Sequence, residues 1–529
     1  MLLQYINEIN YYISNVIWED YAVKQVNKVN KKLISIWSVF ILIGTGIFIL
    51  EKTRHLFTID SDIFWHIKTG EWILENGYVP KVDVFSWHSG LNWIPHEWLY
   101  DVFLNIIYNK FDFQGIIVLA AIMLFAKIAF CTVYNVIIKK ENIQGYSIFV
   151  ACMLIFTGYT WAVGRPLELT TIILLINLIT FIKSRSKKIY YLSFCISCLA
   201  IANLHGGTLQ SIFVQMIIFI IMDIAYYRKT GDIEHKKEAI LKTKVMVAGI
   251  LISLINPHGI NIYSYAFKML LTGAKEATSS IAEWQPMNFI GIVACVLFIL
   301  VYISIAINKK TQKLNKEEVT KLAIITFWGI MMLRYCRCAP MFLFIVLLWG
   351  YPFIREFFEI VISEFKLEKI LKIIKYLVVT IGIAFIIITA IMAEKWYTYY
   401  FKNDINELLK NDYPYNCLEY IKENNITTKL YCESIGSWLL FNDVPSFVDG
   451  RCDPFVNEFS PGNNQFIEVA SINSSDDLLG IFEKYDIQYA LLDNHIDMVK
   501  VLKQSNKWKV VCEDNNGTVF LLKRVEGGK

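Results

Sequence analysis

Apolar runs long enough to cross a lipid bilayer recur along the first three quarters of this chain. A membrane-spanning helix needs roughly 17–25 mainly apolar residues, and in a chain that is 55% hydrophobic such runs follow one another at short intervals. About eleven spans are predicted on this basis, at 33–50, 115–138, 146–163, 167–183, 189–204, 207–227, 243–257, 288–307, 321–337, 339–354 and 375–393. The sequence therefore predicts an α-helical polytopic membrane protein and excludes a soluble globular one.

Lysine and arginine are unevenly distributed among the predicted loops. They concentrate before the first span and in alternate loops, at 24–32, 139–140, 183–188, 228–244 and 309–321. Because cytoplasmic loops carry an excess of Lys and Arg, the N-terminus is predicted to be cytoplasmic in a multi-pass cell-membrane protein. An odd number of spans then places the C-terminus outside. Residues 2–29, with apolar residues at helical spacing, predict an amphipathic helix on the membrane surface.

Two regions of the chain differ in character, and we predict a domain for each. Residues 1–393 hold the predicted spans, and within them residues 51–114 form a long first outer loop with amphipathic helices at Asp62–Asn76 and Pro95–Tyr108. In residues 394–529, here called the C-terminal region, charged residues increase and strand patterns alternate with helical ones. This alternation predicts a small extracytoplasmic α/β domain with a partly parallel sheet. Its strands are predicted at 429–432, 446–448, 488–492, 509–511 and 519–522.

An acidic pair stands where the chain leaves the first predicted span. Asp60 and Asp62 are followed by His66 within the same short stretch. Charge at a membrane rim is costly, and an acidic pair is what acid–base or metal-assisted chemistry requires. If the stretch is extended, both carboxylates point to one face. A solvated loop with ordinary acidic residues is the alternative interpretation.

Further polar residues are predicted at the same rim of the membrane. They lie at or near the ends of predicted spans and of the first outer loop: His96, Glu97, Arg165, His205, His258, Glu283, Arg334 and Arg337. Singly, such residues are well explained as caps, turns or snorkelling side chains. Together, cations beside an acidic pair at headgroup depth favour a phosphate-bearing substrate, because guanidinium groups bind phosphate bidentately.

Several strings of the sequence resemble those of a group of bacterial multi-pass membrane proteins that are related to type-C glycosyltransferases. The dolichyl-phosphate-mannose protein mannosyltransferases are related to the same enzymes. The strings are Asp60-Ser-Asp-Ile-Phe-Trp-His-Ile-Lys-Thr-Gly-Glu-Trp-Ile-Leu74, Gly77-Tyr-Val-Pro80, Asp83-Val-Phe-Ser-Trp87, His96-Glu-Trp-Leu99, Asn203-Leu-His-Gly-Gly207, Asn256-Pro-His-Gly259 and Phe447-Val-Asp-Gly-Arg-Cys-Asp-Pro-Phe455. The resemblance covers nearly the whole chain and is more specific for the group than for its chemistry.

The resemblance implies a type-C transmembrane domain that takes a sugar, a hexose or a pentose, from a polyprenyl-phosphate carrier. The acceptor, which would be a glycan, a lipid or a protein of the cell envelope, receives the sugar at the outer face. Membrane lipids are the implied surroundings, and no nucleic acid is involved. Some members bind a divalent metal ion through their acidic motif and others do not, so cofactor use stays open. The Trp-Trp-Asp-type signature of oligosaccharyltransferases is missing here, which argues against that branch.

Under this hypothesis Asp60 is the expected base that deprotonates the acceptor hydroxyl, and Asp62 is its partner or a metal ligand. The phosphate leaving group would be stabilised by the cations at the rim: Arg165, His205, His258, Arg334 and Arg337. His96 and Glu97 are expected to orient the acceptor, and His66 and Glu283 to bind substrate. The expected cavity opens outward, with the C-terminal region over it.

Two other hypotheses remain open from the sequence. A carrier or flippase for a lipid-linked glycan would need charges at mid-span, whereas the central parts of the predicted spans hold few ionisable residues. A catalytically inactive scaffold would use the C-terminal region to bind cell-envelope partners. In that region, the motif Asp449-Gly-Arg-Cys-Asp453 indicates either a turn closed by an Arg451 ion pair or a surface for acceptor recognition.

Overall fold

The computed structural model of the protein describes residues 35–54, 60–157, 164–183, 187–269, 281–286, 314–364, 384–432, 434–493 and 497–525. The predicted surface helix at 2–29 and the predicted span at 288–307 lie outside these residues, as does part of the span at 375–393. The described residues are mostly helical, and one small sheet forms in the C-terminal region. The helical character and the small C-terminal sheet confirm the predicted fold class at this level.

Helices and strands are numbered in chain order among the described residues. The helices are α1 (Ser35–Lys52), α2 (Asp62–Asn76), α3 (Trp98–Thr132), α4 (Ile143–Thr157), α5 (Pro166–Lys183), α6 (Lys187–Leu204), α7 (Leu209–Thr230), α8 (Ile233–Ser253), α9 (Asn261–Phe267), α10 (Lys316–Arg334), α11 (Ala339–Trp349), α12 (Tyr351–Glu364), α13 (384–397), α14 (Ile405–Asp412), α15 (Tyr415–Glu423), α16 (Gly436–Phe441), α17 (Gln465–Ala470), α18 (Ser475–Lys484) and α19 (Asp497–Gln504). The strands are β1 (Leu430–Cys432), β2 (Tyr489–Asp493), β3 (Trp508–Asp514) and β4 (Val519–Arg524).

Among the described residues, three helical segments are long and apolar enough to cross a membrane: Ser35–Lys52, Trp98–Ile138 and Gly206–Thr230. A fourth is added if the pair Cys336–Trp349 and Tyr351–Ile360, bent by 62°, forms one broken span. Other predicted spans coincide with shorter apolar helices, such as α5 and α6. The count of about eleven spans therefore stays a prediction.

The first outer loop folds partly as its sequence predicts. Helix α2 occupies the predicted residues and ends at Gly77, whose φ of 73° closes the helix with an N–H bond of 2.9 Å to Ile73 O. The helix predicted at Pro95–Tyr108 is the first part of helix α3. Asp112 has non-helical angles (φ 54°, ψ −160°) at a kink where two helices join, so the predicted helix ends near this residue and the apolar helix begins after it.

The C-terminal sheet has the strand order β1-β2-β4-β3. Strand β1 pairs with β2 in parallel, and β2–β4 and β4–β3 are antiparallel. This is the partly parallel sheet that the alternating pattern predicts. The predicted strand at 446–448 does not form, because Ser446 makes only an isolated bridge to Ser86 of the first loop.

Helix α2 lies between α3 and the C-terminal region, and both contacts are close. A Cβ at Gly70 would overlap the backbone carbonyl of Asp101 on α3, so a glycine is required where the two helices meet. On the other side, the Phe64 ring makes edge and tilted contacts with Tyr413 and Phe441 at 5.3 and 5.2 Å. These contacts fix the position of the first turn of α2, which carries Asp62.

Candidate active site

A cavity of about 490 Å³ lies where the first loop, several helix ends and the C-terminal region meet. Helices α2, α3, α5 and α11 begin at or beside its wall. Its polar and charged lining residues are Asp62, His66, His96, Glu97, Arg165, Glu168, His205, Glu283, Arg337 and Arg451. Apolar walls come mainly from Trp65, Leu167, Tyr265, Trp284 and Phe466. The arrangement is a concave, partly apolar site with convergent charged groups, which is typical of small-molecule binding.

Arg165 is the centre of an ion network on one wall of this cavity. Its Nε and Nη2 atoms donate to the two carboxylate oxygens of Asp60 at 2.8 and 2.6 Å. Nη2 also lies 3.0 Å from Asp62 Oδ2, and Nη1 lies 3.2 Å from Glu283 Oε2. Glu283 in turn lies 3.4 Å from Arg337 Nη1. One guanidinium therefore joins the acidic pair of the first loop to the loop that carries Glu283.

The two carboxylates of the acidic pair have different environments. Asp60 is bound at both oxygens by Arg165, and its side chain is 7% exposed, against 24% for Asp62. Burial raises the pKa of Asp62 to about 6, although Arg165 opposes the shift; the charge of Asp60 adds to it. A carboxylate with a pKa near neutrality that lines a cavity is suited to accept a proton.

A second group of titratable side chains forms the floor beside α3. His66 Nδ1 lies 2.6 Å from Asp101 Oδ1, and His66 Nε2 lies 3.7 Å from Glu97 Oε2. The other oxygen of Glu97 faces two further rings, with His205 Nε2 at 3.0 Å and His96 Nε2 at 3.6 Å. These contacts connect α2, the beginning of α3 and the end of α6.

The pKa values in this group follow from burial and from the neighbouring charges. Burial lowers the pKa of His96 to about 4, and the charge of Glu97 only partly opposes the shift. Burial alone would raise the pKa of Glu97, but the surrounding histidines lower it below its ordinary value. Glu97 is therefore an ionised carboxylate held among imidazole rings.

The C-terminal region contributes Gly450, Arg451 and Cys452 to the cavity wall. Arg451 is buried, and it donates from Nε and Nη2 to Asp449 at 2.8 and 2.7 Å and from Nη1 to Asp83 at 2.6 Å. Burial alone would lower the pKa of Arg451, but the two carboxylates raise it above its ordinary value. The motif thus contains the ion pair predicted for a turn, and it also binds the first loop through Asp83.

An apolar pocket of about 320 Å³ adjoins the polar cavity. Its walls are formed mainly by side chains of α5, α7, α10 and α11, among them Leu174, Val214, Phe327, Met331 and Met341. The two cavities share several lining residues: His96, Leu167, His205, Tyr265, Met269, Trp284 and Arg337. A polar and an apolar compartment therefore meet along one wall.

The structure places most of the predicted site residues together. Those lining the cavity are Asp62, His66, His96, Glu97, Arg165, His205, Glu283 and Arg337. Asp60 lies behind Arg165 as its ion-pair partner. His258 does not line the cavity; its Nε2 lies 3.2 Å from Pro95 O. Arg334 does not line it either and is exposed at the end of α10, beside Tyr335. The roles assigned to these residues stay predictions.

Three buried partners were not found by sequence reasoning. Asp101 orients His66, Asp83 pairs with Arg451, and Lys127 forms a buried ion pair with Glu168 at the cavity wall. Lys127 lies inside the apolar helix α3, where an ionisable residue is costly unless it has a partner. That position is the one available sequence signal for the Lys127–Glu168 pair, although the sequence does not identify Glu168 as its partner.

The acidic pair does not fit a metal site as these residues are arranged. The guanidinium of Arg165 contacts both carboxylates at 2.6 to 3.0 Å and supplies the positive charge that a cation would bring. A metal ion bound by Asp60 would have to displace this bidentate pair. The metal option that the resemblance left open for Asp60 and Asp62 is therefore not supported by their geometry.

Comparison with known proteins defines the fold. No protein-family model matches the chain, and the comparison with curated proteins also finds no match. The structure is similar to the crystal structure of the Archaeoglobus fulgidus oligosaccharyltransferase in its apo form, with a TM-score of 0.50 and 12% sequence identity, over 86% of this chain and 69% of that one. That protein is an oligosaccharyltransferase, the branch that the missing Trp-Trp-Asp-type signature argued against. At this identity the similarity concerns the fold alone. The chain is thus a mostly helical protein with a small C-terminal sheet, and its fold is similar to that of an oligosaccharyltransferase.

Proposed function

We propose that this protein is a membrane glycosyltransferase that moves a sugar from a polyprenyl-phosphate carrier to an acceptor at the outer face of the membrane. The observation that carries the proposal is the meeting of the polar cavity and the apolar pocket at Arg337, which lines both. A lipid-linked phosphate joins a charged head to a long apolar tail, so it needs these two environments side by side. The fold similarity to an oligosaccharyltransferase supports the same class of reaction.

Arg337 is the proposed ligand of the donor phosphate. Its guanidinium carbon lies 4.4 Å from the centre of the Trp284 ring, and one of its nitrogens lies 3.4 Å from Glu283. A guanidinium has five N–H donors, more than this one ion pair uses, and its planar fork matches phosphate. The first turns of α5 and α11 also face the cavity through Pro166 and Pro340, and the positive end of a helix dipole favours an anion.

The tail of the donor would occupy the apolar pocket. The pocket extends from the shared wall between α5, α7, α10 and α11, all four of which coincide with predicted spans. A polyprenyl chain on this path keeps its tail among apolar side chains while its phosphate stays at Arg337. Transfer chemistry is then confined to the polar cavity, where the sugar and the acceptor meet.

Asp62 is the proposed general base, in place of the originally expected Asp60. Asp62 would take the proton from the acceptor hydroxyl, whose oxygen attacks the anomeric carbon of the sugar. The bond from that carbon to the phosphate oxygen breaks, and the polyprenyl phosphate leaves with its bonding electron pair, stabilised by Arg337. Asp60 serves as the partner that holds Arg165 against Asp62.

The proposed topology and domain division follow the sequence predictions. Residues 1–393 form the membrane domain, and the C-terminal region lies outside the membrane, over the cavity. Gly450 and Cys452 at the cavity wall support this position for the C-terminal region. Sugar acceptors would then enter between the first loop and the C-terminal region.

The test uses the full chain in detergent with a polyprenyl-phosphate sugar that carries a label in its sugar. It measures the release of the lipid phosphate and the appearance of the label on an acceptor, or as free sugar where water is the acceptor. We expect release by the wild type and a rise of at least about tenfold in donor KM for Arg337→Met, which corresponds to roughly 1.4 kcal/mol. Arg355→Met is the control, since Arg355 pairs with Glu141 away from both cavities. Translocation of the donor in vesicles without release would indicate a carrier instead.

A further inference from the structure

Three potential metal-ligand atoms converge on the wall shared by the polar cavity and the apolar pocket. They come from His96, Glu97 and His205, one atom from each, and they all lie within 4.8 Å of one another. The carboxylate oxygen lies 3.0 Å from His205 Nε2 and 3.6 Å from His96 Nε2. The side chains are 16%, 10% and 4% exposed, in chain order, so the group is largely withdrawn from solvent.

The hydrogen bonds of the two rings indicate which of their nitrogens carries a lone pair. His96 Nδ1 lies 3.4 Å from the carbonyl oxygen of Ile94, which can only accept. His205 Nδ1 lies 3.3 Å from Thr170 Oγ1, whose own proton is donated to Pro166 O at 3.1 Å. With these protons on Nδ1, each ring can present a lone pair at Nε2, which is the form that binds a metal ion. In the metal-free protein, an N–H at His205 Nε2 instead donates to the Glu97 carboxylate at 3.0 Å.

In the metal-binding form, two lone pairs and an anionic oxygen face one point. Acceptors buried against acceptors are unfavourable unless a proton or a cation lies between them, so a metal ion bound here would replace the proton at His205 Nε2. Imidazole nitrogen and carboxylate oxygen are the donor set of open zinc sites, which bind the ion through three protein ligands and leave a further position to substrate or water. We propose that His96, Glu97 and His205 bind a divalent first-row transition-metal ion of the zinc type, with its open position toward the cavity.

The surrounding contacts hold these ligands in place. Gly206 N–H donates to His96 O at 2.8 Å, which joins the segment carrying His96 to the residue after His205. The His96 ring stacks on Tyr265 with 4.3 Å between the ring centres. His66 lies 3.7 Å from the second oxygen of Glu97 and is itself held by Asp101. Such outer contacts orient the ligands of metal sites.

This site is distinct from the acidic pair, whose charge Arg165 already balances. The inference deepens the proposed function, and its use in transfer depends on that function. His96 and His205 line both cavities, as does Arg337, so an ion there would lie on the wall along which the donor phosphate is proposed to bind. Binding of the ion itself can be measured without any transfer reaction.

The experiment uses the full chain in detergent after removal of metal by a chelator. Zn²⁺ binding is measured by competition with a chromophoric chelator and by elemental analysis, with Mg²⁺ and Ca²⁺ as competitors. We expect one Zn²⁺ per chain, weak competition from the two oxygen-preferring ions, and a loss of affinity of at least about 100-fold for His96→Ala and His205→Ala. His235→Ala is the matched control, because His235 lies beside Lys316 on α10, away from the cavity.

Substitution with Co²⁺ gives a second measurement, on the wild type alone, should a variant fail to fold. An absorption spectrum typical of four- or five-coordinate Co²⁺ with imidazole ligands supports the site, and its absence contradicts it. A double variant with alanine at both His96 and His205 that still binds Zn²⁺ with the affinity of the wild type also overturns the inference. Lipid-phosphate release by a protein that fails to bind Zn²⁺ overturns the metal site alone, whereas bound Zn²⁺ without any release counts against the proposed function alone.

Discussion

Gly450 of the C-terminal region lies directly against the carboxylate of Asp62 on helix α2. A Cβ added at position 450 would overlap Asp62 Oδ1 and lie 2.9 Å from Ser437 Oγ. The Gly450 N–H also donates to that hydroxyl at 2.9 Å, which fixes the backbone at this point. The two regions of the chain therefore meet at the proposed base, and only a residue without a side chain allows the contact.

Gly450→Ala is expected to displace the Asp62 carboxylate and to reduce the rate of sugar transfer by at least about tenfold. A displacement of a catalytic group by about 1 Å is enough to lower the rate of the chemical step by this much. The atoms nearest to the added methyl group are the ends of the Asp62 and Ser437 side chains, which can move aside, so the free energy of unfolding should fall by no more than about 1 kcal/mol. Transfer rate and thermal unfolding would be measured together. Gly480→Ala on α18 is the matched control, since its Cβ meets nothing within 4 Å. Equal effects of the two substitutions would contradict this account of the contact.

The pH dependence of transfer should report the ionisation of Asp62. Burial raises the pKa of Asp62 to about 6, and a general base must be deprotonated to act. Transfer should therefore rise with pH through about 6 and level off above it, with a loss of about tenfold per pH unit on the acid side. The charge of Asp60 raises the pKa of Asp62. Asp60→Asn should therefore shift the acid side of the pH profile to lower pH. Asp62→Asn should abolish most of the activity, and the residual transfer should no longer depend on pH in this range.

The sign of this shift also fixes a stability effect. A carboxyl group whose pKa is raised in the folded protein contributes stability that is fully present below its unfolded pKa and is lost as pH rises through the folded pKa of about 6. Asp62→Asn should therefore not lower the melting temperature at pH 7–8. A clear loss of stability there, together with an unchanged pH profile of transfer, would assign Asp62 a purely structural role.

Sequence reasoning succeeds here where the determinants are local. The periodicity and the Gly77 cap of α2 depend on neighbouring residues, and helix α2 has the predicted bounds. In the C-terminal region, short alternating patterns give the strands β1, β2 and β4 nearly at their predicted positions. Strand 446–448 fails because its partner is a loop residue, Ser86, distant in sequence.

The site was predicted less completely because its contacts are long-range. Arg165 and Asp60 are 105 residues apart, and His66 and Asp101 are 35 apart, so no spacing rule connects them. Topology could place Arg165 and Asp60 at one end of the helices, because alternate loops share a side of the membrane. It could not distinguish Arg337, which lines the cavity, from Arg334, which is exposed one helical turn earlier.

Arg451 is expected to hold the C-terminal region to the first loop. Its removal in Arg451→Ala leaves the Asp83 and Asp449 carboxylates buried without their cation, which typically costs about 3–5 kcal/mol. Thermal unfolding and limited proteolysis should show this loss of stability most clearly at neutral pH. In acid, protonation removes the negative charge of the two unpaired carboxyl groups and so reduces the cost of burying them. Arg524→Ala, which breaks only a partly exposed pair at 3.8 Å to Asp486, should cost no more than about 1 kcal/mol. Similar losses in both variants would contradict the assigned role.

The length of the donor tail gives the last test, because the apolar pocket is proposed to hold it. Val214 of α7 lines this pocket and is half-buried, so Val214→Trp should fill the space that a polyprenyl chain needs. We expect donor KM to rise by about tenfold or more for a long-chain donor, with kcat nearly unchanged, since uniform binding is lost without touching the reacting groups. A short-chain analogue should be much less affected. Val247→Trp, at a side chain of α8 that is 50% exposed, controls for added bulk. An equal rise of KM for both donors would place the tail outside the pocket and leave Arg337 to bind the phosphate by itself.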